Sequence, residues 1–161
     1  MMKRVLISTM VLLCSVFVLT SVAEEAPSPQ EQAENATATR QAVFKLLIFN
    51  LRTIVGMARG EIEFDAAIAE RNARRIAALA PMIPEVLGAM DTREFDVTTE
   101  ALPLIWDNLD EVAEKAQNLV NAANTFADTA ATEDQGATLG GLRALGGACG
   151  NCHETFRVDN D

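Results

Sequence analysis

The chain has little of the side-chain chemistry on which most enzymes draw. Among its 161 residues there is one histidine, one tryptophan and no tyrosine. That inventory excludes a histidine pair, a tyrosine base and a three-histidine metal cage, so any histidine chemistry passes through His153. Positive charge is scarce too, with Lys+Arg at 13 against Asp+Glu at 23 and a formal net charge of −10 at pH 7. A surface of that sign disfavours phosphate backbones and anionic lipid, which removes nucleic acid from the partners. The length suits one domain and is too short for two comfortable ones.

The first residues read as an export signal. Met1 to Arg4 form a short positive region, Val5 to Leu19 an apolar stretch, and Ser21-Val22-Ala23 offer small residues at a cleavage spacing. An apolar stretch of about 15 residues is shorter than the roughly 20 that span a bilayer, so residues 1–23 are expected to be cleaved, leaving no membrane anchor. The remaining 138 residues carry 23 acids against 11 bases, and two cysteines, Cys149 and Cys152. Export of this kind leads to the periplasm of a bacterium, an oxidising compartment where two cysteines so close together need an explanation.

No segment alternates with the period of a strand. Residues 24–36, with Pro27, Pro29 and little that is apolar beyond alanine, read as a flexible lead, and the domain is expected over 37–161. A first helix carries Arg40, Phe44, Leu47, Leu51, Ile54 and Ala58 at helical spacing and ends near Gly56 to Gly60. A second starts at an Asp65 N-cap and continues through Ala69, Ala73, Ile76 and Ala80 until Pro81 and Pro84 disturb it. The third has the cleanest stripe, from Ile105 through Leu109, Val112, Ala116, Leu119 and Ala123 to Phe126. A fourth is predicted from about Glu133 to Arg157, although six of the nine glycines fall within it and each costs about 1 kcal/mol in a helix interior. Such glycines suggest that something bulky approaches the backbone. Four amphipathic helices with short connections read as an all-α, antiparallel up-down four-helix bundle.

Within the fourth helix, Cys149-Gly150-Asn151-Cys152-His153 is C-x-x-C-H, the attachment signature of c-type haem. On a helix, residues three apart share a face, so both thiols can meet the two vinyl groups on one porphyrin edge while the adjacent histidine reaches the iron. Three other readings compete. A redox dithiol prefers a helix N-terminus, and here a helical pattern precedes the cysteines. Half of a zinc site would need carboxylates as its remaining ligands, because the exported chain has no further Cys or His. A structural disulfide ignores the position of the only histidine, next to Cys152. For the second axial position the exported chain offers only Met57, Met82 and Met90; Met57 lies 13 residues beyond Phe44, about 20 Å along a helix, and all three are expected to pack away from iron.

The helical pattern, the late C-x-x-C-H, its continuation Glu154-Thr155-Phe156-Arg157, the opening Arg40-Gln41-Ala42-Val43-Phe44 and the segment Leu102-Pro103-Leu104-Ile105-Trp106 together resemble the class II cytochromes c, specifically the cytochromes c′. The resemblance covers about Thr37 to Arg157. It implies one covalent haem c, with Cys149 and Cys152 as thioether donors, His153 as the axial iron ligand and Arg157 on the proximal side. Arg40 and Gln41 match a pair that contacts the haem propionates. Thr99 and Glu100 match a polar pair at the haem edge, although Glu100 serves equally as a helix N-terminal acid. Trp106 covers the haem edge or fills core.

Phe44 stands where low-spin members of the class carry a methionine on iron, so the resemblance implies a five-coordinate, high-spin centre with an apolar distal face. Nitric oxide and carbon monoxide then become the expected small ligands, electron transfer the associated role, and enzymatic turnover is not expected. Peroxidase-like catalysis lacks an evident distal proton shuttle. A low-spin electron carrier with a methionine sixth ligand is the alternative. Members of the family commonly form homodimers through the first two helices, for which Leu46, Ile48 and Ile54 are candidate contacts, and the acidic surface implies a redox partner with a basic patch.

Overall fold

The first helix begins inside the segment expected to be a flexible lead. In a computed structural model of the chain, which describes residues 26–158, α1 runs Pro29–Ala58. Ser28 caps it: its side chain accepts from the Glu31 amide, and the Glu31 carboxylate accepts from the Ser28 amide in return. Pro29 therefore occupies the first helical turn, where a missing N–H costs nothing. Residues 29–36 are helical, in contrast to the flexible lead predicted for 24–36, and the expected signal segment 1–23 lies outside the described residues. By length and composition α1 is apolar enough to cross a membrane, yet its inner face supplies Ala33, Val43, Ile54 and Met57 to the bundle core.

The α1 chain exit turns at Gly60, whose φ of +71° is a left-handed conformation that suits glycine. Asp65 caps α2 (Ala66–Leu79) by accepting from the Ile68 amide. Of the two prolines expected to disturb this helix, Pro81 stands at the break, after which the chain restarts as the short α3 (Met82–Gly88), whereas Pro84 is accommodated in the first turn of α3. The clean stripe beginning at Ile105 is divided. Pro103–Asp107 forms a 3₁₀ turn, and α4 runs Leu109–Ala130 after a break at Asn108.

The predicted fourth helix is also two pieces, α5 (Gln135–Gly140) and α6 (Leu142–Phe156), meeting at Gly141. A Cβ on Gly141 would lie 3.3 Å from the Thr138 carbonyl oxygen and 3.4 Å from the Phe126 ring, so glycine permits α5 to turn close over α4. The four long segments, with α3 extending the second and α5 preceding the fourth, pack as an antiparallel four-helix bundle.

Phe126, Ile54, Leu145 and Val112 are among its most completely buried side chains. Each contributes roughly 1.5–3 kcal/mol by burial. Ile54 is fully buried, so it is a core residue and cannot serve as the subunit contact expected of it; Leu46 and Ile48 are exposed, as is Phe49 at 66%. Met57 is core, as expected, whereas Met82 is exposed on α3.

Candidate cofactor site

The strand-less segment between α3 and α4 is held in place by α1. Arg40, 3% exposed, donates from Nε to the Val86 carbonyl at 3.0 Å, from Nη1 to Thr92 Oγ1 at 2.9 Å, and from Nη2 to the Met90 carbonyl. Its guanidinium lies 5.3 Å from the centre of the Trp106 ring, whose Nε1 donates to the Leu87 and Met90 carbonyls at 3.0 and 3.2 Å. Burial pushes the Arg40 pKa down, but arginine starts high enough to remain charged. Further along, Gln30 and Gln41 donate to the carbonyls of Asp96 and Thr98 at 2.8 and 3.0 Å. Arg93 joins Asp91 to Asp107 and stands 6.0 Å from the other interactions' common ring, Trp106.

The end of this segment is fastened to the end of α6. Ala101 and Arg157 form an antiparallel bridge, with Leu102 N–H donating to the Phe156 carbonyl at 2.9 Å and Val158 N–H to the Glu100 carbonyl at 2.8 Å. The Arg157 guanidinium reaches the Glu100 carboxylate, and Thr99 Oγ1 accepts from the Ala101 amide. The polar residues singled out in the sequence therefore fall into two groups. Arg40 and Gln41 tie α1 to the segment, while Glu100 meets Arg157 one turn beyond His153 and Thr99 bonds only locally, to the Ala101 amide.

Cys149 and Cys152 lie on α6, unpaired, half-buried and packed against the bundle core. Burial raises both thiol pKa values; Cys152 raises that of Cys149 further, while Lys115 partly offsets the effect at Cys152. His153 follows on the more open side, and its imidazole is depressed by desolvation and then by Arg157, with Glu100 opposing. A neutral imidazole is the form that binds a metal. Phe44 packs against the same core from α1, half-buried, with no donor atom to offer.

The close approach expected at the helix glycines is made by protein at Gly141, against Phe126, whereas a Cβ added at Gly140, Gly146, Gly147 or Gly150 meets nothing within 4 Å. Among the described residues no group of three or more His, Cys, Asp or Glu is placed to hold a metal ion, which disfavours the zinc reading. Two unpaired thiols one turn apart, an adjacent imidazole and uncrowded backbone fit a covalently attached haem.

Sequence reasoning passed over one residue beside this turn. Lys115 of α4 sits at the edge of the stripe formed by Val112, Ala116 and Leu119, and its ammonium reaches Asn151, between the two cysteines. The only local signal was its spacing of four from Glu111, with which it pairs at 3.2 Å.

Comparison with known proteins agrees with this geometry. The sequence profile described as Cytochrome C' matches residues 35–157. A cytochrome c′ from Allochromatium vinosum is 35% identical over 162 residues, covering 98% of this chain and 99% of that protein. A cytochrome c-554 from Cereibacter sphaeroides is 35% identical over 127 residues, covering 78% of this chain and 82% of the relative. Among solved structures, a cytochrome c′ with a ligand-controlled dimer dissociation superposes with a TM-score of 0.69 at 31% identity, covering 84% of this chain and 100% of that one. The cytochrome c′ of Thermochromatium tepidum gives a TM-score of 0.67 at 30% identity, with coverages of 79% and 97%. The chain belongs to the cytochrome c′ family, and its cofactor is covalently attached haem c.

Proposed function

We propose that the protein is a periplasmic electron-transfer and diatomic-ligand-binding haem protein, without enzymatic turnover, in which Cys149 and Cys152 form the thioethers and His153 is the single axial protein ligand. The haem, when bound, supplies a redox-active iron with one coordination position left to small ligands. His153 is suited to its role because its environment favours the neutral imidazole. Arg157 and Glu100 flank it as a charged pair on the proximal side.

The observation that carries the open sixth position is Phe44: it packs toward the core from α1 with a side chain that cannot ligate iron, while Met57 is 3% exposed in the core and Met82 is on the surface. An aromatic distal wall offers no hydrogen bond to a ligand that needs one, such as oxygen, and tolerates nitric oxide and carbon monoxide. Arg40 and Gln41 brace the segment that leads to the proximal pair, and their remaining donors are assigned to the propionates. A homodimer through the outer face of α1 uses Leu46, Ile48 and the more exposed Phe49. The excess of acidic residues favours a redox partner with a basic patch.

Ultraviolet-visible spectra of the ferric and ferrous protein, with and without nitric oxide, test this reading. A high-spin spectrum that changes on adding nitric oxide is expected. A low-spin spectrum indifferent to it would place a sixth protein ligand on the iron and replace the proposal with a simple electron carrier.

A further inference from the structure

Lys115 makes contacts unlike those of a surface lysine. Its side chain is 12% exposed, and Nζ donates to Asn151 Oδ1 at 2.9 Å and to the Asn151 carbonyl at 3.3 Å, while Glu111 Oε1 lies 3.2 Å away. An ammonium has three N–H donors, and three acceptors surround this one. The charge also stands 5.9 Å from the centre of the Phe156 ring, which is itself 3% exposed. One side chain of α4 thus grips α6 at two places, Asn151 and Phe156, on either side of Cys152 and His153. Asn151 stands between the two cysteines without belonging to the attachment set. Its amide is spent on Lys115.

That contact bears on a geometric variable which the attachment motif leaves open. Two thiols three residues apart share a helix face, but whether that face meets the bundle depends on how α6 is rotated about its axis. Gly146, Gly147 and Gly150 offer no side chains to set the rotation, and a Cβ at each would meet open space. Leu145 and Phe156 pack into the core at opposite ends of the helix, and Lys115 supplies the polar fastening at the turn between the cysteines.

We propose that Lys115 is a positioning residue of the haem site: through Asn151 it fixes the rotation of α6 that presents Cys149 and Cys152 to the cofactor, and it fixes a positive charge beside the proximal turn. The inference rests on the haem attachment proposed above. Lys115 is paired with Glu111 at 3.2 Å, so removing the ammonium alone would leave a carboxylate unpaired beside the turn and disfavour the ferrous state, in which the centre carries one positive charge fewer; Lys115 therefore holds the reduction potential up.

The test compares Lys115→Met, Lys115→Arg and Asn151→Ala with the wild type, all produced with haem-attachment machinery. Intact-protein mass and the α-band position of the alkaline pyridine haemochrome give the fraction with both thioethers, and a spectroelectrochemical titration gives the midpoint potential. In Lys115→Met, which keeps the unbranched stem, a several-fold smaller doubly attached fraction and a lower midpoint potential are expected. Asn151→Ala is expected to lose attachment while keeping most of the potential, because the cation remains, and Lys115→Arg to recover most of the potential. Thermal unfolding is the control for a merely structural role: a lower Tm with attachment and potential both unchanged in Lys115→Met would overturn the proposal. Wild-type protein without covalent haem would overturn the attachment reading itself, and this inference with it.

Discussion

Arg157 places two donors on a single carboxylate oxygen of Glu100, with Nε at 2.7 Å and Nη2 at 2.6 Å from Oε2. Both side chains are about half exposed, so the pair contributes little to stability, on the order of 0.5 kcal/mol. Its influence on His153 is more specific, because Arg157 depresses that imidazole and Glu100 opposes it. Replacing Glu100 by Gln removes the negative member and leaves the positive one. The midpoint potential is then expected to rise, with Tm shifted by no more than a few degrees. A potential unchanged from the wild type would show that the pair does not act on the iron centre.

A larger effect on folding is expected at Arg40. Its guanidinium satisfies the carbonyls of Val86 and Met90 and the hydroxyl of Thr92, and stacks on Trp106. Arg40→Ala would leave acceptors without a donor in a site that is nearly closed to water. The expected loss is about 3 kcal/mol, measured by denaturant unfolding of the holoprotein. Arg40→Lys should recover only part of it, because one ammonium cannot reproduce a planar fork addressed to three acceptors. Equal stability of wild type and Arg40→Ala would mean that the segment between α3 and α4 is held by its other bonds.

How far the fold could be read from sequence depended on whether the deciding contact was local. The α4 stripe from Val112 to Phe126 and the C-x-x-C-H turn declare themselves by spacing alone, and both are where the pattern placed them. Pro29 was misleading although its deciding contact is local: Ser28 and Glu31 have the spacing of a capping box, and a proline directly after the cap begins a helix rather than ending one. Gly141 divides the last helix because of Phe126, fifteen residues earlier in the chain and on another helix. The site shows the same division. The C-x-x-C-H spacing is legible in the sequence, whereas the contact of Lys115 with Asn151 joins residues 36 apart and cannot be read from local spacing.

Acid should loosen the segment between α3 and α4 through the Asp91 carboxylate. Hydrogen bonds from Arg93 hold the Asp91 carboxyl below its ordinary value of 3.8, with the more distant Arg40 charge assisting. A depressed carboxyl stabilises the folded state fully above its unfolded pKa, and that contribution disappears as the pH falls through the lower folded value. Below pH 4 the wild type should therefore lose stability more steeply than Asp91→Asn, in which this linkage is absent. Parallel acid profiles for the two proteins, followed by denaturant midpoint, would rule out the Asp91–Arg93 pair as a contributor.

The outer face of α1 makes a prediction about association that can be separated from folding. Leu46, Ile48 and Phe49 are 49%, 47% and 66% exposed, spread across the outward side of α1 with Phe49 between the other two. Lys45 and Arg52 lie among them, and neither has an ion-pair partner among the described residues. In a two-fold dimer through this face, apolar burial favours association while four cations from two copies oppose it. Screening shortens the reach of that repulsion, so raised ionic strength should tighten the dimer, opposite to what an interface held by salt bridges would show. Phe49→Asp removes the largest apolar contact and introduces a charge that would be buried, and it should weaken the dimer at least about tenfold, or 1.4 kcal/mol, in sedimentation equilibrium. Tm should change little, because Phe49 is outside the core. Ile54→Val provides the opposite pattern: Ile54 is fully buried, so the fold should lose about 1 kcal/mol with the association constant unaltered. If Ile54→Val weakened association and Phe49→Asp did not, the subunit contact would lie on a different surface.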